Sequence, residues 1–138
     1  MHYFASLFSV VLCADAVLEP STKRSTAEIE NLIVQNYISM SAQDLRSHLA
    51  QLLQVHGLEL RGLQQSHSVR LYFGCTTVES LRELRKMFDS GQLRSISESF
   101  FSSLLISEPE VGPISLKLFS LVDYCKCEDF LARRTGKF

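Results

Sequence analysis

The stretch that most constrains the fold runs from Ser68 to Leu105, SVRLYFGCTTVESLRELRKMFDSGQLRSISESFFSSLL, because a strand pattern passes there directly into a capped helix. Val69, Leu71 and Phe73 alternate with Arg70 and Tyr72, the period-two signature of a strand with one dry face. Thr76 and Glu79 stand three apart, the spacing at which a threonine hydroxyl takes one orphan helix amide and a glutamate reaches back to another. Val78, Leu81, Leu84, Arg85 and Phe88 continue at helical spacing, and Gly91 is placed to end the helix in a left-handed turn. Leu93, Ile96, Phe100, Phe101 and Leu104 then predict a second helix at once. Everything else in the chain has to pack on this unit, and nothing in it is chemistry.

The flanking segments supply the remaining layers. Leu58 and Leu60 alternate with Glu59 and Arg61 as a short strand, Gln64 to His67 is a polar hairpin turn, and Val69 to Phe73 returns as the antiparallel partner. Leu45, Leu49, Leu52, Leu53 and Val55 form a leucine stripe on a helix over residues 42–55, stopped by Gly57. Residues 31–38, NLIVQNYI, admit two readings. Ser25 with Glu28 could cap a helix carrying Ile29, Leu32, Ile33, Tyr37 and Met40, but the β-branched and aromatic content favours a strand. Were the segment helical, the first strand would have to come from Leu7 to Cys13, and a signal peptide there would be ruled out. After the breaker-rich Glu108 to Pro113, Ile114, Leu116 and Leu118 alternate with Ser115, Lys117 and Phe119 as a last strand. Val122 to Arg134 closes the chain as a helix, with Arg133, Arg134 and Lys137 near the negative end of its dipole.

That order, strand-helix-strand-strand-helix-strand, is the βαββαβ of a ferredoxin-like α/β plait, an α+β fold with a four-stranded antiparallel sheet, its helices on one face, plus a C-terminal helix. Alternation assigns the sides. Leu58, Leu60, Val69, Leu71, Phe73, Ile114, Leu116 and Leu118 should point at the helices, while Tyr37, Glu59, Arg61, Arg70, Tyr72, Lys117 and Phe119 should line the open face. An aromatic and basic sheet face is where a partner would bind; the plainer alternative is a set of ordinary cross-strand pairs in water.

Composition narrows the partners. The chain has 138 residues, enough to bury roughly two thirds of its unfolded surface without disulfides or metal. With 14 Lys plus Arg against 15 Asp plus Glu, a globally electrostatic partner such as duplex DNA is disfavoured. Cysteines at 13, 75, 125 and 127 are too sparse for a disulfide framework and suggest reduced thiols in the cytoplasm. Tyr3 to Leu12 complicates this, being an apolar run of signal-peptide length before the small-x-small Ala14-Asp15-Ala16, which leaves secretion as the alternative. The run is too short to span a bilayer, and no other stretch is longer. Glu19 to Thr26 is polar and proline-marked, so residues 1–29 are expected to be an extension or signal-like segment and residues 30–138 the plait domain.

The run HSVRLYFGCTTVESLRELRKMFDSGQLRSISESFFSSLL with the later PISLKLFSLVDYCKCEDFL resembles the N-terminal domain of the tumour-necrosis-factor-receptor-associated death-domain adaptor (TRADD) and similar domains of animal death-signalling proteins. Phe88, Gly91 and Leu93 carry the resemblance best, with Leu118 and Cys125 behind them, across residues 31–132. It implies a non-enzymatic adaptor domain in death-receptor or innate-immune signalling, docking through its sheet on the C-terminal domain of a receptor-associated signalling factor. The surface it implies coincides with the open face above, with Tyr37, Arg70 and Tyr72 foremost among the contributors and Arg61, Lys117 and Phe119 beside them.

Other chemistries fit less well. RNA-recognition modules stack bases on the same open face, and Tyr37, Tyr72 and Phe119 beside Arg61, Arg70 and Lys117 could serve, but Val69 to Gly74 lacks the basic-Gly-aromatic order of such modules. Phosphate hydrolysis on this fold would want a glycine-rich anion cradle, and Ser39-Met40-Ser41 offers none. Cys125-x-Cys127 has the wrong spacing for a zinc knuckle, and His48, His56 and His67 have no partner that sequence can name. No nucleophile stands beside a base and an orienting group, so neither catalysis nor a cofactor or metal is expected.

Overall fold

The computed structural model describes residues 4–5, 10–20, 25–39, 53–65, 68–111, 114–119 and 121–134. In chain order these form β1 (Phe4–Ala5), β2 (Val10–Pro20), α1 (Thr26–Ser39), β3 (Leu58–Gln65), β4 (Val69–Cys75), α2 (Val78–Ser90), α3 (Gln92–Leu104), a 3-10 turn (Pro109–Val111), β5 (Ile114–Phe119) and α4 (Tyr124–Arg134). All strand pairs are antiparallel. β2 is the central member: one side pairs with β4 from Val10↔Cys75 to Ala16↔Val69, and the other with β5 from Asp15↔Phe119 to Pro20↔Ile114. β1 adds two residues beside Val10 and Val11, on the β5 side of β2. Across the sheet the order is β5, β2, β4, β3, the order that two crossovers and a hairpin give a ferredoxin-like plait.

The expected architecture holds, but its first strand comes from elsewhere. Residues 31–38 lie in α1, not in a strand, and the strand comes from the segment expected to be an extension, so the boundary at 29/30 falls inside the fold. The reason is burial. Ser25 Oγ accepts the Glu28 amide at 3.2 Å to start α1, and Ile29, Ile33 and Val34 fill the core from one side of the helix. Burying each contributes roughly 1.5–3 kcal/mol, more than the ~1 kcal/mol span of strand propensity. In β2 Val10, Leu12, Ala14, Ala16 and Leu18 alternate towards the helices and are all buried, and of the residues between them only Cys13 is buried as well.

The helix-facing assignment of the other strands stands. Leu58, Val69, Leu71, Phe73, Ile114 and Leu116 are buried, with Leu60 and Leu118 packed against them. The cap of α2 sits one residue later than the Thr76/Glu79 spacing suggests: Ser80 N donates to Thr77 Oγ1 at 3.0 Å and Thr77 N to Ser80 Oγ at 3.2 Å. Gly91 takes φ 84°, which costs a glycine nothing, and α3 begins immediately after it. Of the expected helix over 42–55, residues 53–55 are helical with Leu53 fully buried, and the rest lies outside the described residues. Of the hairpin turn expected over Gln64 to His67, Gln64 and Gln65 instead extend β3 opposite Arg70 and Val69, and 66–67 lie outside the described residues.

α4 packs against α2, with Arg82 Nε 3.2 Å from Glu128 Oε2 and the Arg85 guanidinium over the Tyr124 ring, and it adds Cys127 and Leu131 to the core. The turn before it is tied to the sheet where Val122 N donates to the Cys13 carbonyl at 3.1 Å.

Candidate interaction face

Pleating sends the odd-numbered residues of β2, with their cross-strand partners, to the side away from the helices. The rows read Glu59 beside Gly74 and Val11, Gly62 beside Tyr72 and Cys13, and Gln64 beside Arg70, Asp15 and Phe119. Val17 with Lys117 and Glu19 with Ser115 complete them on the stretch where β2 pairs with β5 alone. Cys13 in the middle row is 1% exposed, while Glu59, Arg61, Val17, Lys117 and Phe119 towards the margins are exposed.

Arg61 reaches the face through an irregularity. The register slips between Leu60 and Gly62, so Arg61 is an extra residue in β3, and a bulge of this kind re-aims a side chain. Its side chain lies flat over Gly74: a Cβ there would sit 2.7 Å from Arg61 Nε and 3.2 Å from Cγ. Gly74 is therefore the floor of a seat for Arg61, whose Nε is also 3.3 Å from Glu59 Oε2.

The other cations are paired as well. Arg70 Nε donates to Asp15 Oδ1 at 2.8 Å across β4 and β2, and the hydrogen bonds it gives, first to Asp15 and then to Tyr72, raise the Arg70 pKa further. Tyr72 Oη donates to Gln64 Oε1 at 2.6 Å, and Lys117 Nζ is 3.4 Å from Glu19 Oε1. Each of Arg61, Arg70 and Lys117 thus has a carboxylate beside it, and the strand residues of this face balance in charge. Against that background Phe119 is 52% exposed, with Val17 38% exposed diagonally across from it.

Of the residues singled out in sequence, Arg61, Arg70, Tyr72, Lys117 and Phe119 come together on one face. Tyr37 does not. It belongs to α1 on the opposite side of the sheet, edge-on to Phe100 with ring centroids 6.2 Å apart, and burial raises its phenol pKa. Asp15, Val17 and Glu19 were missed because their segment was assigned to an extension; the alternation of Val10 to Leu18 with these residues was the available signal. Gly74 was missed because nothing local reveals that Arg61 lies over it.

The four cysteines stand outside any disulfide, and Cys13, Cys75 and Cys127 are buried. Cys13 is 1% exposed, and burial raises its pKa against the lowering effect of Arg70. Burial pushes Cys75 up to about 12 and Cys127 up to about 11, so neither is a nucleophile at neutral pH. Cys125 is exposed where Cys127 is buried, so the two do not present one site. Among the described residues no group of three or more His, Cys, Asp or Glu side chains is placed to hold a metal ion. His56 Nδ1 faces Glu83 Oε1 at 3.2 Å, fastening the start of β3 to α2, while His48 and His67 lie outside the described residues. No described helix is long and apolar enough to cross a membrane.

No protein-family model, curated protein or solved structure matches this chain.

Proposed function

We propose that this chain is a non-enzymatic protein-interaction domain of the cytoplasm that docks a protein partner on the open face of its sheet. The observation that carries this reading is the charge balance of that face around an exposed Phe119. Protein interfaces set an aromatic anchor within a polar rim whose charges are paired, whereas a nucleic-acid surface needs cations free to replace counterions. Arg61, Arg70 and Lys117 already have carboxylate neighbours, and the Tyr72 hydroxyl is taken by Gln64. This favours a protein over RNA. Four cysteines outside any disulfide and a β2 that crosses the Ala14-Asp15-Ala16 sequence support the cytoplasm over secretion.

The TRADD resemblance narrows the proposal to an adaptor in death-receptor or innate-immune signalling, with the C-terminal domain of a receptor-associated signalling factor as partner. Calorimetric titration of that purified domain tests it. Binding should weaken on the order of tenfold or more in Phe119→Ala, as for an aromatic anchor, and change little with salt. Absence of binding refutes the named partner. Affinity unchanged by Phe119→Ala refutes the docking face. Tight binding of a single-stranded oligonucleotide that falls steeply with added salt would establish the RNA alternative instead.

A further inference from the structure

Strand β5 is the edge of the sheet beyond β2, and among the described residues no strand pairs with its outer side. In an antiparallel ladder successive residues turn their backbone groups alternately toward one neighbour and the other. Leu116 shows which way its own point. Its amide donates to the side chain of Glu98, reaching down from α3 with Oε2 at 2.9 Å, so it faces away from β2. By the same alternation Ile114 and Leu118 present their N–H and C=O groups on this outer edge.

An edge with these properties is a template for another strand. Ile114–Phe119, ISLKLF, has no proline, one charge and high strand propensity. It is also self-complementary. A two-fold axis through Leu116 sets that residue against its own copy as a hydrogen-bonded pair, Leu118 against Ile114, and Lys117 against Ser115. Apolar meets apolar on the helix side, and no like charges meet on the other. The pairing needs one group above all, the Leu116 N–H at its centre, and Glu98 holds that group.

We propose that Glu98 guards this edge, keeping β5 from pairing with β5 of a second copy of the chain. A carboxylate accepting a backbone N–H makes a charge-assisted bond, about twice as strong as the neutral carbonyl bond that would replace it. An incoming strand would also have to displace that carboxylate and strip it of water unless it finds another partner. The guard is local and reversible, since alanine at position 98 removes it without disturbing a helix.

Sedimentation velocity on the full chain over a wide concentration range tests this, comparing wild type with Glu98→Ala and Glu98→Gln. Glu98→Ala should self-associate about tenfold more tightly or better, the loss of one charge-assisted bond, with faster deuterium exchange at the Leu116 amide in dilute solution. Glu98→Gln keeps an acceptor oxygen but loses the charge, and should fall between wild type and Glu98→Ala. Adding Ser115→Lys to Glu98→Ala sets like charges across the two-fold pairing and should reverse the association. If Glu98→Ala associates no more tightly than wild type, or if Ser115→Lys leaves the new association intact, the edge is not what Glu98 guards.

Discussion

Removal of residues 1–16 should abolish folding, although Val17 is the residue at which a signal peptidase would leave the mature chain. The deletion takes from β2 every position that pairs with β4, from Val10↔Cys75 to Ala16↔Val69, so the sheet loses its middle and β5 is parted from β4. Val10 and Leu12 are fully buried, and burying two such side chains contributes roughly 3–6 kcal/mol together. Ala14 and Ala16 add about 0.8 kcal/mol each, and every ladder hydrogen bond lost adds about 0.5–1.5 kcal/mol net. The sum is as large as the roughly 5–15 kcal/mol that holds a domain of this size together. Residues 17–138 should therefore give a far-ultraviolet circular dichroism spectrum without a cooperative melt. Leu12→Ala in the full chain should remain folded but lose about 2–5 kcal/mol. A cooperative melt from the truncated chain would refute β2 as the central strand, and would restore the secreted alternative that β2 opposes.

Glu30 is buried on α1, and desolvation raises its pKa, partly offset by a hydrogen bond from Gln65. A group whose folded pKa lies above its unfolded value contributes stability below the unfolded pKa and loses it as pH rises through the folded one. Glu30→Gln should accordingly raise the melting temperature at pH 7 and change it less at pH 4; an equal effect at both would show that the charge is irrelevant. Ser97 has a buried hydroxyl that finds no hydrogen-bond partner among the described residues. Ser97→Ala should stabilise by about 1 kcal/mol in urea titration, from relief of that hydroxyl and better helix propensity, and a loss of stability would mean the hydroxyl has a partner. Gly74→Ala should displace Arg61 while changing stability by less than about 1 kcal/mol, because the atoms in the way belong to an exposed, flexible side chain. A loss above about 2 kcal/mol would assign Gly74 a role beyond that seat.

The parts of this fold legible in the sequence are those in which one period dominates a short segment. β4 and β5 announce themselves by alternation, and Gly91 ends α2 where its freedom at positive φ is needed. The open face followed from them, because once Leu71 and Phe73 point inward, Arg70 and Tyr72 must point outward. What failed was the choice between two segments for one role. The stretch 31–38 has strand-like composition and helical spacing, and spacing prevailed because Ile29, Ile33 and Val34 meet the sheet on a common side.

The true first strand was hidden by an overlap. Val10 to Leu12 belong both to an apolar run of signal-peptide length and to an alternating strand whose outward residues become polar further on, at Asp15 and Glu19. Asp15 is the residue that separates the two. In a leader it would precede the cut between Ala16 and Val17. In the sheet it stands directly across from Arg70 and bonds it at 2.8 Å. The plait itself requires a central strand antiparallel to both β4 and β5, small where helices press on it and able to meet cations on its other side. Ala14 and Ala16, with Asp15 between them and Glu19 further on, satisfy both demands. Residues 31–38 cannot, because Leu32, Ile33 and Val34 in sequence would set large apolar side chains on both faces of a strand and leave the open face apolar at its centre. The charge balance on which docking is argued therefore comes from β2 itself, whose Asp15 and Glu19 answer Arg70 and Lys117.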